Sequence, residues 1–226
     1  MLDDHEPGRR WHTLQSNPAQ TLCQPNSGPK LIIHRKPKNN EQRNRGRKRL
    51  RYAVIVLVAL LVGFSAITAR WFIWPPTGAP DRVDAIVLLN GPSDLNRLEA
   101  ALGLARERRA SFLVISYSPE GPHWWTGGSV CAPKVTEARV ICFIPNPDTT
   151  RGEAEFVGRL ARQYHWQSIV LVATAPQDPV ALMRTKRCFS GQVYMINASF
   201  PASGWPSQLA YYWGAALQAL ILQRSC

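Results

Sequence analysis

The sequence lacks the short motifs by which several large enzyme classes are recognised. It contains no G-x-S-x-G nucleophile elbow, no Walker phosphate-binding loop and no H-E-x-x-H zinc-binding pair. It also lacks a C-x-x-C pair, and the only histidines after residue 51 are the isolated His123 and His165, so no metal site is predicted. These absences argue against a recognisable serine hydrolase, P-loop NTPase or zinc peptidase.

Acidic residues are also scarce. The chain has 15 Asp and Glu against 27 Lys and Arg, a formal net charge of +12. Residues 1–51 carry 12 basic and 4 acidic residues, net +8, and the remainder carries 15 and 11, net +4. Because this basic tail adjoins an apolar segment, its charge favours a role in membrane topology and lipid attraction, and no nucleic-acid partner is predicted. The tail has few large apolar residues, so we expect 1–51 to be disordered.

A long stretch without any charge follows the tail. Tyr52–Ala69 is 18 residues long, is preceded by the basic cluster 43–51, and leads into the Trp-rich segment Arg70–Pro76. At about 1.5 Å per residue such a helix covers about 27 Å, close to the thickness of the hydrocarbon core of a bilayer. The pattern predicts one transmembrane helix over 52–74, followed by a linker over 75–82.

The charge asymmetry predicts the orientation of this span. Basic residues beside a span are retained in the cytoplasm, so the tail should lie inside and the rest of the chain outside a plasma membrane that it crosses once. A cleaved signal peptide and a buried core helix are the alternatives. A signal peptide has a short basic leader and a small-residue cleavage site, whereas about fifty residues precede this run and Ala66–Ala69 matches such a site poorly.

The predicted span separates the cysteines into two groups. Cys23 lies in the tail and should remain a thiol, whereas Cys131, Cys142, Cys188 and Cys226 all follow the span, where oxidation is permitted. Four cysteines allow three pairings. We favour Cys131–Cys142, which would close a short loop over the following strand, with Cys188–Cys226 as the remaining pair.

The pattern from residue 83 to 226 alternates apolar, β-rich runs with helical segments. This alternation predicts an α/β fold of three layers, a mostly parallel sheet of about five strands with helices on both faces. Ligands of such folds lie at the carboxyl ends of the strands. The predicted strands are 83–89, 112–115, 140–144, 168–174 and 192–196, and the predicted helices are 94–109, 150–164, 179–188 and 205–223.

The first helix of this domain is expected to be amphipathic. Its predicted buried face consists of Leu95, Leu98, Leu102 and Ala105. The charged residues, Arg97 among them, are expected mostly to face water.

Three regions of the domain carry short motifs. The first is Asp84–Gly91 with Arg97–Ala101, the second is Pro147–Ala154, and the third is Val170–Thr174 with Arg187–Phe189. In their order and spacing they resemble the YdcF-like family, which includes the SanA-type and ElyC-type envelope proteins. The resemblance covers nearly all of the domain. It implies a three-layer α/β fold, frequently behind a single membrane anchor, and a role in cell-envelope or peptidoglycan maintenance.

The chain departs from the family pattern at three turns. Asn90-Gly91-Pro92 stands where relatives commonly carry a Gly-Gly pair, and Ser116-Tyr117-Ser118 replaces a Ser-Gly-Gly turn. Gln177 and Val180 stand where relatives commonly show a His and then an Arg. Gln is not a general acid or base near neutral pH, which suggests a weakened or absent activity. Some relatives are described as binding S-adenosylmethionine, but an extracytoplasmic domain would rarely meet it, and no cofactor is expected.

Eight residues near strand ends are predicted to bind a ligand. Arg97 either clamps an anionic group or is an exposed helix charge. The segment 148–153 either offers backbone N–H groups to an anion or caps its helix, with Thr150 and Glu153 at capping-box spacing. Asp94 and Asp178 are either acids or helix N-caps. The eight predicted site residues are Asn90, Gly91, Arg97, Asp148, Thr149, Thr150, Glu153 and Gln177, and no catalytic residue is assigned.

Aromatic residues offer further candidates. Trp124 and Trp125 either stack on sugar rings or pin a long loop to the domain. Tyr211, Tyr212 and Trp213 on the last helix are expected to be core or interface residues.

Three functional hypotheses follow. The first is an extracytoplasmic domain that binds a carbohydrate or lipid-linked envelope precursor with little or no catalysis. The alternative is an enzyme acting on an anionic envelope precursor through Arg97 and Asp148–Glu153, which would gain support from an acid such as Asp178 or Glu120 in the place of Gln177. The third is assembly of the span and the last helix with a partner envelope protein.

Overall fold

The computed structural model of the chain describes residues 39–91, 94–118, 130–132, 135–200 and 204–226, without the side chains of 39–42 and 94. The predicted disorder of 1–38 lies outside the described residues. So do the predictions for Glu120, His123, Trp124 and Trp125, and the predicted role of the Asp94 side chain.

One long apolar helix begins the described chain. Helix α1 (Asn39–Thr68) continues as a π-helical turn, Ala69–Ile73, and its apolar part has a mean hydropathy of 2.4. Its large apolar side chains are exposed, Leu60 by 66% for example, which is consistent with a membrane anchor. Because Arg and Lys favour helices and no proline follows residue 37 before the span, α1 extends through residues 39–51, into the segment predicted to be disordered.

A five-stranded, all-parallel sheet forms the centre of the domain, as the sequence predicts. The strand order is β3-β2-β1-β4-β5. The strands are β1 Val83–Leu88, β2 Ala110–Ser116, β3 Arg139–Phe143, β4 Ser168–Thr174 and β5 Gln192–Ala198.

In the described ranges four helices of more than ten residues surround the sheet, each close to its predicted bounds. They are α2 Asp94–Arg106, α3 Thr150–Tyr164, α4 Asp178–Cys188 and α5 Trp205–Ile221. A 3-10 turn, Ala175–Gln177, connects β4 to α4.

Alternation of side chains along the strands divides the core into two layers. Ile86 and Leu88 of β1 pack on the face covered by α2, and Val87 and Leu89 pack on the face covered by α3 and α4. Successive strand residues point to opposite faces, so a strand buried on both sides must be apolar throughout. This explains why β1 and β4 are nearly continuous apolar runs.

The strand order places a crevice between β1 and β4. The chain leaves β1 through α2, on one face of the sheet, and leaves β4 through α4, on the other face. The loops after these adjacent strands therefore diverge, and in open parallel sheets this switch point is where ligands bind.

The exit of the apolar helix packs against the last helix. Trp213 of α5 stacks on Trp71, with ring centroids 6.1 Å apart, and its Nε1 donates to Thr68 Oγ1 at 3.1 Å. The buried members of this apolar cluster are Phe72, Val180, Tyr212 and Ala216. The core or interface role expected for Tyr212 and Trp213 is thereby confirmed.

Both favoured disulfides are present. The Cα atoms of Cys131 and Cys142 are 5.8 Å apart, and those of Cys188 and Cys226 are 4.9 Å apart, within the usual range for disulfides. The second bond joins the end of α4 to the segment after α5, so it restrains the last helix against the domain.

The helical-face prediction for α2 is wrong at two positions. Leu95 is 58% exposed, and Arg97 is completely buried. The reason is that the guanidinium of Arg97 reaches backbone carbonyls at the end of β1, which periodicity alone does not reveal.

Close packing of α3 on α4 generates a prediction. A Cβ on Gly158 of α3 would lie 2.5 Å from the carbonyl oxygen of Cys188, whereas one on Gly103 of α2 would meet nothing within 4 Å. We expect Gly158→Ala to lower the free energy of unfolding by more than about 1 kcal/mol, because the backbone of α4 must move. The control Gly103→Ala should raise it by about 0.5–1 kcal/mol. Thermal unfolding of the full chain in micelles measures both, and equal shifts would contradict the packing.

Candidate functional site

A polar crevice of about 270 Å³ lies at the carboxyl ends of β1 and β4. Seven of the eight predicted site residues line it, and Arg97 is the exception. Helix α5 adds three residues that the sequence did not suggest. The lining residues are Asn90, Gly91, Asp148, Thr149, Thr150, Glu153, Gln177, Gln208, Tyr211 and Tyr212.

The turn after β1 forms one wall of the crevice. The backbone N–H of Asn90 donates to Glu153 Oε1 at 2.7 Å, and the N–H of Gly91 donates to Asn90 Oδ1 at 2.9 Å. Gly91 has a φ of +145°, a conformation that favours glycine. A Cβ at Gly91 would also lie 3.1 Å from Nη1 of Arg97, so this turn is packed directly against the arginine.

Arg97 lies behind this wall. Its Nη1 donates to Leu89 O at 2.7 Å, and its Nη2 donates to Gly91 O. Nη1 also lies 3.4 Å from Gln177 Oε1. Arg97 therefore holds the backbone that forms the crevice, and its predicted contact with a ligand stays a prediction.

Gln177 joins the two strand ends. Its Nε2 donates to Asn90 O at 2.9 Å, while its Oε1 faces Arg97. Because its amide is a donor and an acceptor at once, it bridges a carbonyl and a guanidinium without carrying charge. Gln177 thus has a structural role of its own at the junction of the two strand ends.

The start of α3 forms the opposite wall. Thr149 is the N-cap, and its hydroxyl accepts a long hydrogen bond of 3.4 Å from the N–H of Gly152. Asp148 Oδ2 accepts a hydrogen bond from the Ser118 hydroxyl. A Thr150–Glu153 capping box is not formed, because the helix begins at Thr150 and the Glu153 carboxylate turns to the N–H of Asn90 instead.

Glu153 is the acidic side chain of the crevice whose pKa its surroundings raise. Burial raises its pKa from 4.5 to about 7. The Ser116 hydroxyl, the N–H of Asn90 and the charge of Arg97 act in the opposite direction, and the charge of Asp148 adds to the increase. Glu153 is thus able to exchange a proton near neutral pH.

Asp178 lies elsewhere. It is 2% exposed and lines a separate, mainly apolar cavity with Arg70 and Trp71 near the exit of the span. Burial raises its pKa to about 7, with the nearby Asn197 acting in the opposite direction, although neither carboxylate oxygen makes a regular hydrogen bond within the described residues. Asp178 therefore does not refill the position of Gln177, and it begins α4 instead of capping it.

The last helix closes the crevice with aromatic side chains. Tyr211 is 66% exposed at its rim, and Tyr212, which is buried, stands edge-on to it with ring centroids 5.0 Å apart. Burial raises the pKa of Tyr212, so its hydroxyl stays protonated. Local sequence patterns carry no signal for the placement of these residues beside the strand ends, because packing on the end of the apolar helix decides where α5 lies.

The crevice combines neutral hydrogen-bonding groups with two acidic side chains. Amides, hydroxyls and tyrosines line it, together with Asp148 and the protonatable Glu153. Across the described ranges, no group of three His, Cys, Asp or Glu side chains comes together that could hold a metal ion.

Comparison of the chain with protein families, curated proteins and solved structures finds no match. Membership of the YdcF-like family therefore stays a prediction from the motifs.

The raised pKa of Glu153 generates a prediction with a definite sign. Between pH 4.5 and 7 the folded chain binds the proton more tightly than the unfolded chain, so stability should fall as the pH rises through this range. Above pH 7 the buried carboxylate should cost up to about 3 kcal/mol. Asp178 contributes with the same sign.

The test compares thermal unfolding at pH 5 and pH 8. Glu153→Gln should be more stable than the parent chain at pH 8 and closer to it in stability at pH 5. The variant should therefore lose part of the pH dependence of the unfolding temperature. Glu99→Gln, which changes an exposed carboxylate on α2, is the control and should follow the parent. A parent chain that gains stability from pH 5 to pH 8 would contradict the account.

Proposed function

We propose that this protein is a membrane-anchored, extracytoplasmic YdcF-like domain that serves cell-envelope biogenesis or maintenance. It binds a carbohydrate-bearing component, peptidoglycan or a lipid-linked precursor, with weak or no catalysis. The observation that carries the proposal is the polar crevice at the switch point of the sheet, lined mostly by neutral hydrogen-bonding groups, together with Asp148 and Glu153, and with Tyr211 at its rim. The parallel α/β fold behind a single apolar helix agrees with the family resemblance.

The location outside the cytoplasm rests on charge and sulfur chemistry. The basic residues Arg43–Arg51 precede the apolar part of α1, and such residues are retained in the cytoplasm. The domain after the span contains two disulfides, which persist in oxidising compartments and are rare in the cytosol. These two independent features support the same orientation.

The preference for a carbohydrate rests on the lining of the crevice. Sugars present many hydroxyl groups that both donate and accept, and the amides of Asn90, Gln177 and Gln208 can do the same. An aromatic face beside such groups packs against the C–H surface of a sugar ring. Gln177 in place of a titratable residue favours binding over catalysis.

Glu153 supports the alternative, an enzyme acting on an anionic envelope precursor. A carboxyl group with a pKa of about 7 suits a general acid or base at neutral pH, and Asp148 lies close enough to influence it. In this alternative Glu153 transfers the proton, Arg97 and the 148–153 segment position the substrate, and the reaction depends on substrate reaching a carboxyl that is only 2% exposed.

Binding of glycans tests the first proposal. Calorimetric titration of the full chain in micelles with N-acetylglucosamine oligomers and soluble peptidoglycan fragments should show binding. Tyr211→Ala should weaken it by about 2- to 10-fold, because an exposed aromatic contact contributes about 0.5–1.5 kcal/mol. Leu217→Ala, which removes an exposed apolar side chain from the same helix outside the crevice, should leave affinity unchanged. Absence of binding by all of these glycans would contradict the proposal.

Analysis of reaction products distinguishes the enzymatic alternative from binding without catalysis. Slow conversion of a bound fragment that disappears in Glu153→Gln, with binding retained, would establish catalysis. Binding without conversion at any pH from 5 to 8 would exclude Glu153 as a general acid or base for that fragment.

Thiol labelling tests the orientation. In intact cells a membrane-impermeant maleimide should not label the chain, because Cys23 is cytoplasmic and the other four cysteines are paired. After permeabilisation it should add one label, which Cys23→Ser should abolish. Labelling at Cys23 before permeabilisation would reverse the proposed topology.

A further inference from the structure

A second cavity of about 260 Å³ adjoins the crevice. The two cavities share Thr149, Thr150, Tyr211 and Tyr212, so these residues form the boundary between them. The second cavity differs in charge, because Arg151 and Arg184 line it and no acidic residue of the described ranges does.

Arg184 is the unusual member of this lining. The residue is only 7% exposed, and within the described ranges its side chain makes no hydrogen bond or ion pair, with Nε sealed from solvent. A buried cation without a counterion is costly. Burial, followed by the charges of Arg187 and Arg151, lowers the pKa of Arg184. An anion in the cavity would remove this cost.

The surroundings of Arg184 carry an excess of positive charge. Arg151 pairs with Glu155 at 2.8 Å, and Arg187 donates to two backbone carbonyls near the end of the chain. The charges of Arg151, Arg187 and Glu155 all act on Arg184, so these four side chains together carry a local excess of two positive charges. The start of the 15-residue helix α3 also lies at the boundary with Thr149 and Thr150, and the N-terminal end of a helix attracts anions.

We propose that the second cavity is an anion subsite in which Arg184 binds a phosphate or carboxylate of the same ligand whose sugar occupies the crevice. The sugar part of this assignment rests on the proposed function. The guanidinium suits either group, because its planar fork matches two oxygens at once.

The position of the cavity favours phosphate as the anionic group. Val180 and Tyr212 line the cavity and also pack on Phe72, at the exit of the apolar helix. The anion subsite is thus bounded on one side by the crevice and on the other by the cluster at the membrane exit. In a glycolipid the phosphate occupies the same intermediate position, between the sugar and the lipid chain.

Calorimetric titration of the full chain in micelles tests the subsite with four probes. They are N-acetylglucosamine, its 1-phosphate, the acidic sugar N-acetylmuramate, and inorganic pyrophosphate. At low ionic strength the 1-phosphate should bind about 10-fold or more tightly than the neutral sugar, since hydrogen bonds to charged groups are among the strongest. Arg184→Gln should abolish this gain and leave the affinity for the neutral sugar unchanged. The matched control Arg106→Gln changes an exposed helical arginine and should keep the gain.

Unfolding separates a binding role from a merely structural one. Without ligand, Arg184→Gln should melt at the same temperature as the parent chain or higher, because the change removes an uncompensated buried charge. Phosphate ligands should raise the melting temperature of the parent but not of the variant. A variant that melts lower and keeps the full phosphate gain would overturn the proposal.

The probes also distinguish this proposal from the proposed function. Binding of the neutral sugar with no gain from either charged group would overturn the subsite and leave the proposed function standing. Binding of pyrophosphate that Arg184→Gln abolishes, without binding of the neutral sugar, would support the subsite and contradict the sugar site. A gain with N-acetylmuramate alone would assign the subsite to carboxylated sugars, and failure of all four probes would overturn it.

Discussion

The buried guanidinium of Arg97 is the interaction on which the crevice depends. It donates to Leu89 O and Gly91 O, and it lies against Gln177, so one side chain joins the end of β1 to the segment after β4. Parallel strands provide no such link, because their loops diverge at the switch point. The bonds of Asn90 to Glu153 and Gln177 extend the same network. A charge predicted to meet solvent or ligand thereby supports the walls of the site.

Two buried arginines differ in whether the free-energy cost of burying their charge is offset within the fold. Arg97 is completely buried but donates to backbone oxygens, so its cost is offset within the fold. Arg184 is nearly as buried, yet it lacks such partners within the described residues and adjoins a cavity. The carboxyl group of Glu153 is an intermediate case. Burial raises its pKa, while the hydrogen bond from the N–H of Asn90 acts in the opposite direction. This contrast is why Arg97 is a structural residue and Arg184 is the stronger candidate for contact with an anion.

The membrane exit and the candidate site share the last helix. Trp213 packs on the end of the apolar helix through Trp71 and Thr68, while the neighbouring Tyr211 and Tyr212 line the crevice. The Cys188–Cys226 disulfide restrains the segment after this helix. Packing of α5 on the exit of the span thus determines where aromatic side chains meet the strand ends. A site beside the end of a helix that is long and apolar enough to cross a membrane agrees with the lipid-linked ligand that we propose.

The sequence by itself determined the parallel α/β fold, the single apolar helix and most of the crevice. Apolar runs separated by helical periods specify strands buried on both faces, and residues that follow such strands must gather at one edge, as Asn90, Glu153 and Gln177 do. Only the tertiary structure decided that Arg97 turns inward, that Glu153 bonds Asn90 instead of capping its own helix, and that Tyr211 and Arg184 border the site. These outcomes depend on contacts between residues distant in the chain, which local periodicity and capping patterns do not encode.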